Sequence, residues 1–151
     1  MATDFAYTKR DLARIGFSCI QFNLKKTTRK ISAYYDEVLK PSGLKATQFS
    51  VLIVVAMGDA SSITGISRLV DVDRTTLQRS LEILQRDGFL NVQSESKGNV
   101  RNISITPKGK KKLESAIELW KKAQESITKE LGSEKVKALL KLLGETRRAK
   151  G

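Results

Sequence analysis

Residues 71–88 read DVDRTTLQRSLEILQRDG, and most of the fold follows from them. Leu77, Leu81 and Leu84 recur at four- and three-residue spacing, which puts them on one face of an α-helix. Asp73 stands just before the pattern, where a carboxylate caps the free N–H groups of a first turn. Gly88 stands just past it, at the left-handed C′ position that favours glycine. The spacing predicts a helix over 74–86 that buries its leucines and turns Arg74, Thr75, Gln78 and Arg79 outward. Upstream, Ile63, Ile66, Leu69 and Val70 mark a shorter amphipathic piece, closed by the turn Asp71-Val72-Asp73. Two helices joined by a three-residue turn, the second with a polar outer face, describe a helix-turn-helix. The outward side chains suit DNA: arginine pairs bidentately with guanine, glutamine with adenine, threonine with a thymine methyl or a phosphate. The amino-terminal end of such a helix enters the major groove. An ordinary solvated helix face carries the same residue types, so this face alone does not decide the function.

Downstream, Leu90/Val92 and Ile103/Ile105 alternate with polar residues, which predicts strands over 90–93 and 101–105 joined by the polar tip SESKGN. No acidic residue occurs from Lys97 through Lys112, whereas Lys97, Arg101, Lys108, Lys110, Lys111 and Lys112 are basic. A basic hairpin beside a recognition helix can follow the DNA backbone or enter a minor groove; the bland alternative is a solubilising charge run. Thr106-Pro107 reads as N-cap and N1 of a long helix striped by Leu113, Ala116, Ile117, Trp120, Ile127 and Leu131. After Gly132-Ser133 a last helix carries Val136, Leu139, Leu140 and Leu143.

Toward the amino terminus, the spacing of Phe17, Ile20, Leu24, Ile31, Tyr35 and Val38 predicts one helix over 9–39, broken by Pro41-Ser42-Gly43. A second helix is expected over 47–57, capped by Thr47. Its run VLIVVAM also suits a buried strand, because β-branched residues favour sheets. The fold class expected is mostly α with a small two-stranded β-wing: a winged helix-turn-helix with long N- and C-terminal dimerisation helices. The expected division is a dimerisation helix in 1–40, the winged DNA-binding domain in 44–107, and dimerisation helices in 108–151.

Composition narrows the function. The 151 residues hold 28 Lys+Arg against 16 Asp+Glu, a formal charge of +12 and a pI near 10.0, with 40% apolar residues. That balance suits one globular domain with a polyanionic partner. With no histidine and one cysteine, Ser-His-Asp and Cys-His catalysis have no base, and the usual zinc ligand sets cannot be assembled. No carboxylate pair stands out for acid–base work, so no enzyme activity, cofactor or metal is expected. The longest apolar run, 51–57, is far below the roughly 20 residues that span a bilayer. The start MATDFAYTKR lacks a secretory h-region, so a cytoplasmic protein without membrane association is expected.

Ser42-Gly43-Leu44, Ala46-Thr47-Gln48-Phe49, Val72-Asp73-Arg74-Thr75-Thr76-Leu77, Glu82-x-Leu84-x-Arg86-Asp87-Gly88 and Ile105-Thr106-Pro107-x-Gly109 together resemble the MarR family of bacterial transcriptional regulators, in order and over almost the whole chain. The resemblance implies a homodimer whose first and two last helices intertwine. Each subunit would offer one winged domain to a palindromic double-stranded operator. Thr76 joins Arg74, Thr75, Gln78 and Arg79 as candidate DNA contacts, with Lys97, Asn99 and Arg101 on the wing. Lys97 and Asn99 stand where the family has an Asp-x-Arg motif, so phosphate attraction is expected there in place of minor-groove readout. Asp71 stands where the family often has glycine, in a left-handed turn that Asp tolerates. An effector crevice between the dimerisation and DNA-binding parts is also implied, for a small aromatic ligand, or in part of the family a peroxide-sensing cysteine.

Cys19 is the candidate thiol, with Tyr34 and Tyr35 as candidate effector or redox residues and a tyrosine of a second copy as its hydrogen-bond partner. A buried apolar cysteine is the plainer reading, and Trp120 reads more simply as core or dimer interface than as a ligand residue. The function expected is sequence-specific repression relieved by a small molecule or an oxidant. The alternative is a sequence-tolerant architectural DNA-binding protein, favoured by the charge excess and the altered wing.

Overall fold

The computed structural model describes residues 6–58, 62–94 and 101–149. The chain forms two compact units, Met1–Tyr34 and Tyr35–Gly151, so residues 108–149 belong with the winged part. In the first unit, α1 (Lys9–Ser18) starts at a reciprocal cap. Thr8 Oγ1 accepts from Asp11 N–H at 3.2 Å, and the Asp11 carboxylate accepts from Thr8 N–H at 2.9 Å.

The single helix expected over 9–39 is two helices. Cys19 takes an extended backbone (φ −70°, ψ 113°) between α1 and α2 (Ile20–Leu39). Ser18 turns its hydroxyl onto Arg14 O (2.9 Å), a back-bond that bends helices. Asn23 Nδ2 then donates to both Phe17 O (3.0 Å) and Cys19 O (2.9 Å), bridging the break with a side-chain amide. Apolar spacing runs through unchanged, because a one-residue interruption leaves both helices amphipathic.

In the second unit, α2 passes into a 3-10 turn, Lys40–Ser42, held by Ser42 Oγ donating to Leu39 O at 2.6 Å. VLIVVAM is helical: α3 spans Ala46–Met57 and buries Phe49, Val51, Leu52 and Val55. Its N-cap is Lys45, not Thr47 as expected. Thr47 lies inside the first turn, and Gln48 Oε1 accepts from Lys45 N–H at 2.8 Å instead.

Ser62 caps α4 (Ile63–Val70), and Asp71 follows in the left-handed region (φ 56°, ψ 49°). The expected turn geometry is therefore present. Helix α5 spans Arg74–Arg86 and buries Leu77, Leu81 and Leu84. It ends with Gly88 N–H on Gln85 O (2.9 Å) and Phe89 N–H on Leu84 O (2.8 Å), the paired bonds of a Schellman motif, with Gly88 at φ +76°.

Strands β1 (Leu90–Ser94) and β2 (Arg101–Ile105) pair antiparallel, with Leu90 opposite Ile105 and Val92 opposite Ile103. Thr106 caps α6 (Pro107–Leu131) by accepting from Gly109 N–H at 2.9 Å, and its hydroxyl donates back to Gly88 O at 2.8 Å. Gly109 is needed there, since a Cβ would lie 2.1 Å from Phe89 O. A last helix, α7 (Ser133–Ala149), completes the chain.

One core joins α3, α4, α5, the strands and the start of α6 through Phe49, Leu52, Ile66, Leu77, Leu84 and Leu90, with Ile103 and Leu113 beside them. Beyond it, apolar residues stay uncovered. Helices α1 and α7 bury none of their residues, and Trp120, halfway along the α6 stripe, is 36% exposed. Trp120 is thus not a core residue of this chain.

Candidate nucleic-acid interface

Asp73 builds the working end of α5. Its carboxylate accepts from Thr76 N–H at 2.9 Å and from the Thr76 hydroxyl. The hydroxyl bond, then the backbone bond, hold the Asp73 carboxyl below its ordinary pKa. Thr76 therefore spends its hydroxyl on the cap. Arg74, Thr75 and Arg79 are exposed and Gln78 is half-buried. Neither Arg74 nor Arg79 has an ion-pair partner among the described residues, whereas Arg86 at the far end pairs with Asp87 at 3.1 Å. The outward face expected from the leucine spacing is present, with its unpaired cations in the amino-terminal half of α5.

The structure adds residues that the sequence reading missed. The start of α3 faces α5 across a depression of about 300 Å³ lined by Lys45, Thr47 and Gln48 on one side and Thr75 and Arg79 on the other. The available signal was a lysine at an N-cap position, where oxygen-bearing side chains are preferred.

The basic run after the hairpin divides in two. Lys108 Nζ donates to Asp87 O (2.8 Å) and Lys112 Nζ to Ser42 O (2.9 Å), and both lie over the Phe89 ring at 5.2 and 5.3 Å. These two lysines clamp the base of the wing through carbonyl and cation–π contacts. Lys110 and Lys111 stay exposed. Lys97 and Asn99 lie outside the described residues. The backbone of Arg101 pairs with Ser94 in the ladder, and its side chain is likewise outside the description.

Cys19, Tyr34 and Tyr35 are half-buried. Phe22 N–H points at Cys19 Sγ (3.5 Å), so the thiol occupies the capping position of α2. At 1.5 Å per residue, Tyr34 lies roughly 20 Å along that helix. The chain does not bring its own Cys19 and Tyr34 together. Among the described residues no cluster of metal-ligating side chains occurs, and no single helix is long and apolar enough to cross a membrane.

A capped recognition helix, a turn through Asp71 and a two-stranded wing on a shared core define a winged helix-turn-helix of the class found in DNA-binding transcriptional regulators. No protein-family model matches the chain. The transcriptional regulator MosR of M. tuberculosis is 31% identical, with 89% of this chain and 98% of that one covered and a TM-score of 0.75. The same regulator in complex with DNA matches at 32% identity, 87% and 98% coverage and a TM-score of 0.72. The HTH-type transcriptional regulator BilQ of Clostridioides difficile is 22% identical over 134 residues, 88% of this chain and 90% of its own length. MarR of E. coli shares the fold at 21% identity, 84% and 96% coverage and a TM-score of 0.69. The chain belongs to the MarR family of transcriptional regulators.

Proposed function

We propose that this protein is a sequence-specific double-stranded DNA-binding repressor that binds a palindromic operator as a homodimer and is released by a small-molecule or oxidant signal. The observation that carries the reading is the amino-terminal face of α5, where Arg74, Thr75, Gln78 and Arg79 stand exposed or half-exposed behind the Asp73 cap with both arginines unpaired. The DNA complex of MosR supports DNA as the partner. The homodimer is supported by apolar side chains that the described residues of each unit leave exposed, notably Phe17 at 86% and Leu140 at 64% exposure; such surfaces mark association sites. The signal rests on family resemblance, with Cys19 at the α1–α2 junction as the candidate oxidant sensor.

Selection from random duplex DNA at about 0.15 M salt, under reducing conditions, tests this. An enriched inverted repeat with half-sites about one helical turn apart is expected. Tight binding with a pool that stays random would replace this reading with the sequence-tolerant architectural protein. On the enriched duplex, Arg79→Ala should weaken specific binding more than nonspecific binding, by about 1–3 kcal/mol. Lys111→Ala should weaken both alike. Peroxide should release wild-type protein from the operator and leave Cys19→Ser bound; release of neither removes the thiol from the mechanism.

A further inference from the structure

The start of α3 differs from four other helix starts of the chain. Thr8, Ser62, Asp73 and Thr106 each cap a helix with a side-chain oxygen, whereas α3 begins at Lys45. A cation there opposes the positive end of the helix dipole and forgoes the usual cap. Two acceptors compensate in part: Gln48 Oε1 takes Lys45 N–H at 2.8 Å, and the Asp36 carboxylate takes Ala46 N–H at 2.7 Å. The Lys45 N–H is a donor, so the atom facing it must be the amide oxygen of Gln48. This leaves the Nε2 donor to the groove that Gln48 lines, although the residue is only 8% exposed. Nε2 has no partner among the described residues. Across the groove stand Thr75 and the unpaired Arg79, and no acidic side chain lines it.

We propose that this groove seats one backbone phosphate of the bound duplex, gripped by Lys45 and Gln48 Nε2 on one wall and by Thr75 on the other, and so sets the register in which α5 brings Arg79 to the bases. The site rests on the DNA-binding reading above. A phosphodiester offers acceptor oxygens only and matches a lining rich in donors and cations. A base edge in the major groove mixes donors with acceptors. The poor helix start at Lys45 is then a local cost retained for binding.

Two variants separate this from a structural role. Lys45→Ser supplies the missing cap oxygen while removing the cation. Gln48→Glu keeps an acceptor toward Lys45 N–H and replaces the free donor with a negative charge. Lys45→Ser should raise Tm yet weaken binding to operator and to random duplex by the same factor, about 5- to 10-fold, and lower the slope of log K against log salt by about one. Gln48→Glu should weaken both further at unchanged helicity. If wild type binds duplex and Lys45→Ser keeps its affinity and slope, the phosphate seat falls and the DNA reading stands. A loss confined to the operator would overturn the phosphate assignment in favour of a base contact. Failure of wild type to bind any duplex would remove both readings together.

Discussion

Helices α5 and α7 look alike in sequence and fare differently in the fold. Both are amphipathic, and both carry leucines at helical spacing. Leu77, Leu81 and Leu84 of α5 are all buried, whereas Leu139, Leu140 and Leu142 of α7 are 45%, 64% and 58% exposed. The difference is not propensity or pattern. The face of α5 meets α3, α4 and the wing of its own chain, while no residue of α7 is buried among the described residues. An apolar stripe reports that a face needs covering; it does not say whether the same chain supplies the cover.

The same substitution at the two places sharpens that contrast. Leu84→Ala, in the core, should cost about 2–5 kcal/mol by urea unfolding, independent of protein concentration at fixed ligand. Gly109→Ala tests the close approach at the base of the wing and should cost about 1–3 kcal/mol, because the new methyl meets a backbone carbonyl that cannot rotate away. Leu140→Ala should cost less than either in dilute protein, and its cost should grow with concentration as a second copy covers α7. A cost for Leu140→Ala that does not vary with concentration would mean that α7 is not part of a dimer interface.

The smallest effect concerns the cap of α5. The Asp73 carboxyl is held below its ordinary pKa by Thr76, so its stabilisation is fully present above the unfolded value near ~3.9 and is lost as pH falls through the folded one. Asp11 behaves likewise through its bonds with Thr8. Asp73→Asn keeps a capping oxygen without the titration. Its Tm should differ little from wild type at pH 7 and fall less steeply below about pH 4. An identical acid slope in the two proteins would show that the cap charge does not contribute.

Legibility followed the range of the interaction. The bounds of α5, its Asp73 cap, the Gly88 stop and the Thr106-Pro107 start of α6 were all readable, since each is decided within about four residues; the left-handed turn at Asp71 came through the family resemblance. The break at Cys19 was not, because periodicity is blind to an interruption that Asn23 bridges with its side chain. Nor was the clamp role of Lys108 and Lys112. Their acceptors, Asp87 O and Ser42 O, are 21 and 70 residues away in the chain, and a lysine run looks the same whether its ammonium groups face solvent or carbonyls.

By itself, then, the sequence determined the order of elements from α3 onward, the face that α5 turns outward, and the excess of positive charge that calls for a polyanion. These depend on local geometry and on composition. Only the tertiary structure decided that Lys45 and Gln48 stand across a groove from Arg79, and that, among the described residues, the apolar face of α7 is left uncovered by its own unit. Both depend on which distant segments the shared core brings together, and no window of sequence contains that information.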